Sequence, residues 1–329
     1  MSVSDVNKNN ITNEIKVAFI ADDIKNLNEF GILHNTTFSL MIAVQELGKK
    51  VFLIESKNLK IVNSTVYALC DEVLLKREVG NYLQVKSSEE IALKSFNVIF
   101  ARKDPPINEA FVSYAQILSL IELNKFDKPF IINSPLSLIS SNEKLFTLDF
   151  PNLIPETIVT SNKNEIISFL NVHKEIVVKP LFNKGGEGVF YLKLGDVNVN
   201  QIVELYTDGM KKIIVQKYLP EVLTGDKRII LLNGDPVGAI VRIPKEGEFR
   251  THISRGASFK SHALSKRDLE ICEAIKPFLI KQRLYFVAID VIGDYLIEVN
   301  FTCPANLYET EQSVGKPLTK MVIEWAIRM

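Results

Sequence analysis

The chain has 329 residues, 47% of them hydrophobic, and its 39 Lys and Arg are balanced by 39 Asp and Glu. That length suggests two or three cores rather than one, and the charge balance points to neither nucleic acid nor an anionic membrane. No apolar run approaches the roughly 18 to 20 residues of a membrane-spanning helix.

Residues 1–14 are polar and Asn-rich, which predicts a frayed, disordered tail and not a secretory signal. Cys70, Cys272 and Cys303 are far apart and in no Cys-x-x-Cys arrangement. A reducing compartment, the cytoplasm, is expected, with no disulfide framework and no zinc site. Residues 15–20 read as a strand. Phe38, Leu40, Met41, Val44 and Leu47 recur at helical spacing over 36–47, Gly48 stops that helix, and 51–55 is the next strand. This β-α-β opening implies a parallel sheet. Ala21-Asp22-Asp23-Ile24 follows the first strand where a dinucleotide fold would want Gly-x-Gly-x-x-Gly, so NAD and FAD are disfavoured.

A further strand, 96–101, runs into Arg102-Lys103-Asp104-Pro105-Pro106. Ligands bind at strand C-termini in open α/β sheets, and a guanidinium suits a carboxylate through paired hydrogen bonds. A solvated loop with an Asp-Pro turn is the equal alternative. Residues 130–133 read as a short strand and 137–146 as helix.

Residues 175–180 form a buried-looking strand with Lys179 near its end, and Lys184-Gly185-Gly186-Glu187-Gly188-Val189 leads into a strand over 190–193. The glycines let backbone N–H groups approach phosphate oxygens, although such a turn alone is a weak signal and no Walker loop. A strand over 213–217 enters Tyr218-Leu219-Pro220. Another, 225–232, carries Asp226 and Arg228, turns at Asn233-Gly234, and returns over 237–243 with Arg242. Residues 245–260, with Arg250 and Arg255, are cation-rich and poor in apolar groups, which suggests a mobile lid. An amphipathic helix covers 266–281.

Residues 286–301 read as two strands joined at Gly293-Asp294. Val287, Ile289 and Val291 share one face, as do Ile297, Val299 and Phe301, while Asp290, Glu298 and Asn300 lie on the others. A two-residue loop would set Asp290 opposite Ile297 and mix the faces. A three-residue loop, 293–295, sets Asp290 opposite Glu298 and is the expected register. Two carboxylates and an amide oxygen suit Mg²⁺ held together with phosphates. Taken alone, the hairpin reads equally as a strand pair with one wet face.

As an ordered set these stretches resemble the ATP-grasp superfamily, and within it the bacterial glutathione synthetase family. The carrying motifs are Arg102 to Pro106, Asn142-Glu143-Lys144-Leu145-Phe146-Thr147, Pro155-Glu156-Thr157, Val178-Lys179-Pro180-Leu181, Gln216-Lys217-Tyr218-Leu219-Pro220, Gly225-Asp226-Lys227-Arg228 and Asp290 through Pro304. The resemblance implies an α/β and α+β chain. A parallel α/β domain over 15–138 would precede two ATP-grasp subdomains with antiparallel sheets, 139–215 and 216–329, the lid being 245–260.

It also implies ATP-dependent ligation of γ-glutamylcysteine to glycine through an acyl phosphate. Mg²⁺, with Mn²⁺ as the alternative, would sit on Asp290, Glu298 and Asn300. Lys144 and Lys179 would hold ATP phosphates under Gly185, Gly186 and Gly188. The backbone of Gln216, Lys217, Tyr218 and Leu219 would bind adenine, and Asp226 the ribose. Arg228 and Arg242 would be catalytic, and Arg102, Arg250 and Arg255 would bind substrate. The family suggests a dimer or tetramer, with no nucleic-acid or membrane partner. Two departures stand out: Ser254-Arg255-Gly256-Ala257 replaces the family's lid Gly-Gly pair, and the hinge carries a charged Lys217. The rival readings are a glutamate- or D-alanine-adding ATP-grasp ligase and a non-catalytic nucleotide-binding regulator.

Overall fold

The computed structural model describes residues 14–123, 129–208 and 211–329; the expected tail falls almost wholly outside the described residues. The first third runs β1 (Lys16–Ile20), α1 (Glu29–His34), α2 (Thr36–Glu46), β2 (Lys50–Ile54), β3 (Leu59–Val62), β4 (Thr65–Leu75), β5 (Leu83–Ala92), β6 (Val98–Ala101), α3 (Glu109–Leu123), β7 (Phe130–Ile132) and α4 (Pro135–Ser140). Next come β8 (Thr157–Thr160), α5 (Lys163–His173), β9 (Glu175–Pro180), β10 (Phe190–Lys193), α6 (Val199–Thr207) and β11 (Ile213–Lys217). The rest is β12 (Asp226–Leu232), β13 (Asp235–Ile243), β14 (Ser258–Ser261), α7 (Lys266–Lys281), β15 (Phe286–Ile292), β16 (Tyr295–Asn300), α8 (Leu307–Val314) and α9 (Leu318–Arg328).

The chain is thus α/β and α+β, built on three sheets. In the first, β1, β2, β6 and β7 run parallel, as the opening pattern predicts. Strands β3, β4 and β5 extend it antiparallel, which makes the sheet mixed. The second sheet, β10-β9-β11-β8, and the third, β14-β13-β12-β15-β16, are antiparallel throughout. Local chemistry starts the helices where expected. Asn35 caps α2 by accepting the Phe38 N–H, and Phe38, Leu40, Met41 and Val44 are buried. Ser265 and Asp268 close a capping box on α7, whose Ile271, Ile275 and Leu279 are buried.

Asn133 joins the first sheet to the third. Its amide N–H groups donate to the carbonyls of Phe286 and Phe301, both at 2.7 Å, and its oxygen accepts from Tyr285 and Phe286. All four hydrogen-bonding positions of that buried side chain are filled.

Two expectations need correction. Helix does not run over 137–146: α4 spans Pro135–Ser140, and the next helical turn is a short 3₁₀ segment, Leu145–Asp149. Asn142 explains the break. Its side-chain oxygen accepts the N–H groups of Lys144 and Leu145 at 3.0 and 3.1 Å, offering the backbone a turn in place of a helix. In the last hairpin Asp290 does face Glu298, but Ile292 pairs with Tyr295, so the loop is the two residues Gly293-Asp294. A bulge between these pairs leaves Ile297 unpaired and restores the register. Leu296 therefore joins Val299 and Phe301 in the core, while Ile297 turns to the opposite, cavity side.

Candidate active site

A cavity of about 730 Å³ lies between the second and third sheets and is walled by the loop after β9 and the 245–260 segment. Its floor follows from strand register. Asp226 on β12 is directly opposite Arg242 on β13, and Arg228 is directly opposite Asp290 on β15, which in turn faces Glu298 on β16. Side chains two apart share a face, so Asp226 and Arg228 point the same way.

These pairs are bidentate. Arg228 donates through Nε and Nη2 to the two oxygens of Asp290 at 2.8 and 2.7 Å, and Arg242 does the same to Asp226 at 2.7 and 2.5 Å. Arg242 Nη2 also lies 3.1 Å from Asp290 Oδ1. All four residues are buried. Burial alone would raise the Asp290 carboxyl, but Arg228 and Arg242 hold it well below the usual carboxylate range. Burial raises the Asp226 carboxyl, Arg242 opposing and the Asp290 charge adding to it. Thr251, in the 245–260 segment, donates to Asp226 Oδ2 at 2.6 Å. Both Asp226 oxygens thus hold protein groups, and the residue lines the cavity beside Arg242.

Lys144 Nζ lies 3.0 Å from Glu298 Oε1 and donates to the Asn183 carbonyl at 2.9 Å. Lys179 donates to Gln216 Oε1 at 2.8 Å, and Gln216 is itself fixed by the Thr157 hydroxyl. Burial pushes the Lys179 ammonium down to about 8. At the hinge the N–H groups of Lys217 and Tyr218 already donate to the carbonyls of Glu156 and Glu175. Tyr218 lines the cavity and packs on Tyr191 with ring centres 4.6 Å apart.

Gly185 and Gly186 line the cavity at φ of 63° and 70°, a conformation that suits glycine. Gly188 lies off it, packed against Pro180 and the Tyr206 hydroxyl. Arg250 is paired with Glu248 at 2.5 Å, and Arg255 donates to the Gly185 carbonyl at 3.2 Å, so the 245–260 segment and the glycine loop touch. Lys217, Leu219 and Asn300 line the cavity as well. Arg102 does not. It is buried between Thr37 and the Pro304 carbonyl, and its Nη1 is a buried donor with no partner among the described residues. Such an orphaned guanidinium nitrogen is what an incoming carboxylate would satisfy.

The motif reading left Glu143, Thr251, His252 and Asn306 without roles. Glu143 accepts the N–H groups of Phe301 and Thr302, both at 2.8 Å, and so fixes the exit of β16. Burial first, then the nearby Glu298 charge, pushes its carboxyl up. Burial beside Arg228 and Arg242 holds the His252 imidazole down at about 4. Glu143 stands beside Lys144 in a carrying motif; Thr251 and His252 lie in the cation-rich 245–260 segment and Asn306 two residues past Pro304, where composition singles out none of them.

Among the described residues no group of three or more His, Cys, Asp and Glu gathers as a metal cage. Magnesium needs less: one or two carboxylates beside substrate phosphates. Asp290, Glu298 and Asn300 supply two carboxylates and an amide on one cavity wall, and that donor set fits a hard divalent ion. Asp290 oxygens are engaged by Arg228, Arg242 and, at 3.3 Å, the Asn300 amide nitrogen. A bound ion would displace part of that set.

Two antiparallel sheets closing on a cavity lined with lysines, arginines, glycines and a carboxylate pair define an ATP-grasp protein, and the comparisons agree. A family model for the prokaryotic glutathione synthetase ATP-grasp domain matches residues 143–315, and one for the N-terminal domain of the same family matches residues 15–138. The chain belongs to the prokaryotic glutathione synthetase family. It is 39% identical to the glutathione synthetase of Synechocystis sp. over 94% of this chain and 98% of that one, and 36% identical to that of Gloeobacter violaceus over 95% and 97%. A macrocyclase from Microcystis aeruginosa, solved with its precursor peptide, superposes with a TM-score of 0.62 at 16% identity, over 96% of this chain and 100% of that one. That last likeness concerns the fold alone.

Proposed function

We propose that the cavity binds ATP and a divalent ion, and that the chain joins γ-glutamylcysteine to glycine with release of ADP and phosphate. The dipeptide's cysteinyl carboxylate attacks the γ-phosphorus, the bond to ADP breaks, and an acyl phosphate forms. The glycine amine then attacks the acyl carbon, loses a proton, and phosphate leaves.

Carboxylate and triphosphate repel each other, so the site must supply cations and needs no protein nucleophile. Lys144 and Lys179 hold phosphates, Gly185 and Gly186 close over them, and Arg228 and Arg242 stabilise the transferring phosphoryl group. Asp290, Glu298 and Asn300 would hold the ion, Mg²⁺ or Mn²⁺, which would supply positive charge against the triphosphate. Gln216 to Leu219, with Tyr218 and Tyr191, form the adenine side. Arg102 takes a substrate carboxylate, and the lid, with Arg250 and Arg255, keeps water from the acyl phosphate. Gly188 shapes the glycine loop from outside the cavity. Functional division falls at 138/139 and 215/216, and the site lies between the last two units. The protein works in the cytoplasm as a dimer or tetramer.

The observation that carries this reading is the register-fixed row Asp226–Arg242 and Arg228–Asp290–Glu298, facing Lys144 and Lys179 across one cavity. The altered lid, Ser254 to Ala257, puts the acceptor amine most at issue. Purified protein with ATP, Mg²⁺ and γ-glutamylcysteine should form a tripeptide only when glycine is added. Turnover with glutamate or D-alanine but not glycine would replace this assignment with another amine ligase.

A further inference from the structure

Each of the two site arginines has one nitrogen left after its carboxylate is bound. Arg228 places Nε and Nη2 on Asp290, and Arg242 places Nε and Nη2 on Asp226. Both remaining Nη1 atoms converge on one acceptor, the side-chain oxygen of Asn306, at 3.3 and 3.4 Å. A guanidinium Nη1 carries two hydrogens. With one directed at Asn306, the other is available to the cavity that both arginines line.

Asn306 does not line that cavity; it stands behind the arginines at the start of α8. Its backbone is left-handed, φ 70°, and its side chain makes no capping hydrogen bond to the helix it precedes. An asparagine in this position ordinarily caps, and here the amide serves the arginines instead. Close packing of α8 on β13 makes this reach possible: a Cβ on Gly238 would meet Thr310 of α8 at 2.8 Å.

Resting on the proposed reaction, we propose that Asn306 is a positioning residue that clips Arg228 and Arg242 together, so that their Nη1–H donors meet the acyl phosphate as a pair. The neutral amide matters as much as its place. It orients both guanidinium groups without cancelling their charge, whereas a carboxylate would hold them and neutralise them. Preset donors aimed at developing negative charge lower the barrier more than they tighten substrate binding.

Two variants separate this role from simple support of the fold. Asn306→Gly keeps the left-handed backbone and removes the clip. Asn306→Asp keeps the shape and adds a charge. In tripeptide formation, kcat of Asn306→Gly should fall about tenfold or more, while the KM for ATP stays within about twofold and the melting midpoint within about 3 °C. Asn306→Asp should melt like the wild type and also lose kcat. Wild-type kcat in either variant, or losses that only track falling melting temperature in both, would overturn the proposal. Should Asn306→Gly fail to fold, Asn306→Asp decides alone. A wild-type protein that forms no tripeptide would overturn the reading underneath, and this proposal with it.

Discussion

Lys179 stands on β9 at the back of the cavity, hydrogen-bonded to a neutral amide, Gln216, and burial pushes its ammonium down to about 8. Glu298 and Asp290 pull it up and Lys144 repels it, and the balance stays below the ordinary value of 10.5. A cation with a lowered folded pKa binds fewer protons when folded than when unfolded. Its charge therefore disfavours the empty fold most below about pH 8, and that penalty is relieved as pH rises toward 10.5. A phosphate beside it reverses the shift, so ATP binding near pH 8.5 should take up protons. Calorimetry in two buffers of different ionisation enthalpy reads this directly. Net uptake is expected in the wild type and its loss in Lys179→Arg, whose charge does not titrate in this range. Equal heats from the wild type in both buffers would contradict the role. At this scale Lys179 was legible in the sequence, as a lone cation at a strand end. Its pKa was not, because burial comes from packing.

The glycine loop between β9 and β10 shows what an element adds. Gly188 sits at φ 70°, and a Cβ there would lie 2.7 Å from the Tyr206 hydroxyl and 2.9 Å from Pro180. The crowding and left-handed strain of Gly188→Ala should cost about 1 to 3 kcal/mol. The loop should also tilt away from the phosphates. A lower melting midpoint together with a raised KM for ATP is expected, and an unchanged pair would show that the loop tolerates a side chain. Strand and helix spans read well where periodicity was strong: β9, β10, β11 and α7 have the expected limits. The last hairpin was legible in outcome but not in means. Asp290 meets Glu298 through a bulge at Ile297 and not through a longer loop, since alternation alone carries no sign of an unpaired residue. The β4–β5 ribbon and helices α3, α5, α6, α8 and α9 lay outside the sequence reading, and α8 is the element that delivers Asn306 to the arginines.

Across the whole molecule, the three sheets are held together by a few polar residues. Asn133 ties the first sheet to β15 and the exit of β16, Glu143, just before the 3₁₀ segment, reaches that same exit, and Lys184 of the glycine loop reaches Asp104 beyond β6 at 2.7 Å. These contacts bring a carboxylate-binding candidate, Arg102, within one loop of the cavity wall at Cys303. No linear motif announces such closure, because it depends on residues 80 to 168 positions apart. A chain arranged this way should carry one oxygen from dipeptide to phosphate, since the carboxylate attacks phosphorus and leaves one of its oxygens on it. The most direct measurement uses γ-glutamylcysteine labelled with ¹⁸O in its cysteinyl carboxylate, with ATP, Mg²⁺ and glycine, followed by mass analysis of the products. One ¹⁸O in each released phosphate, in step with tripeptide, is the predicted result; unlabelled phosphate, or ATP hydrolysis without tripeptide, would contradict the account.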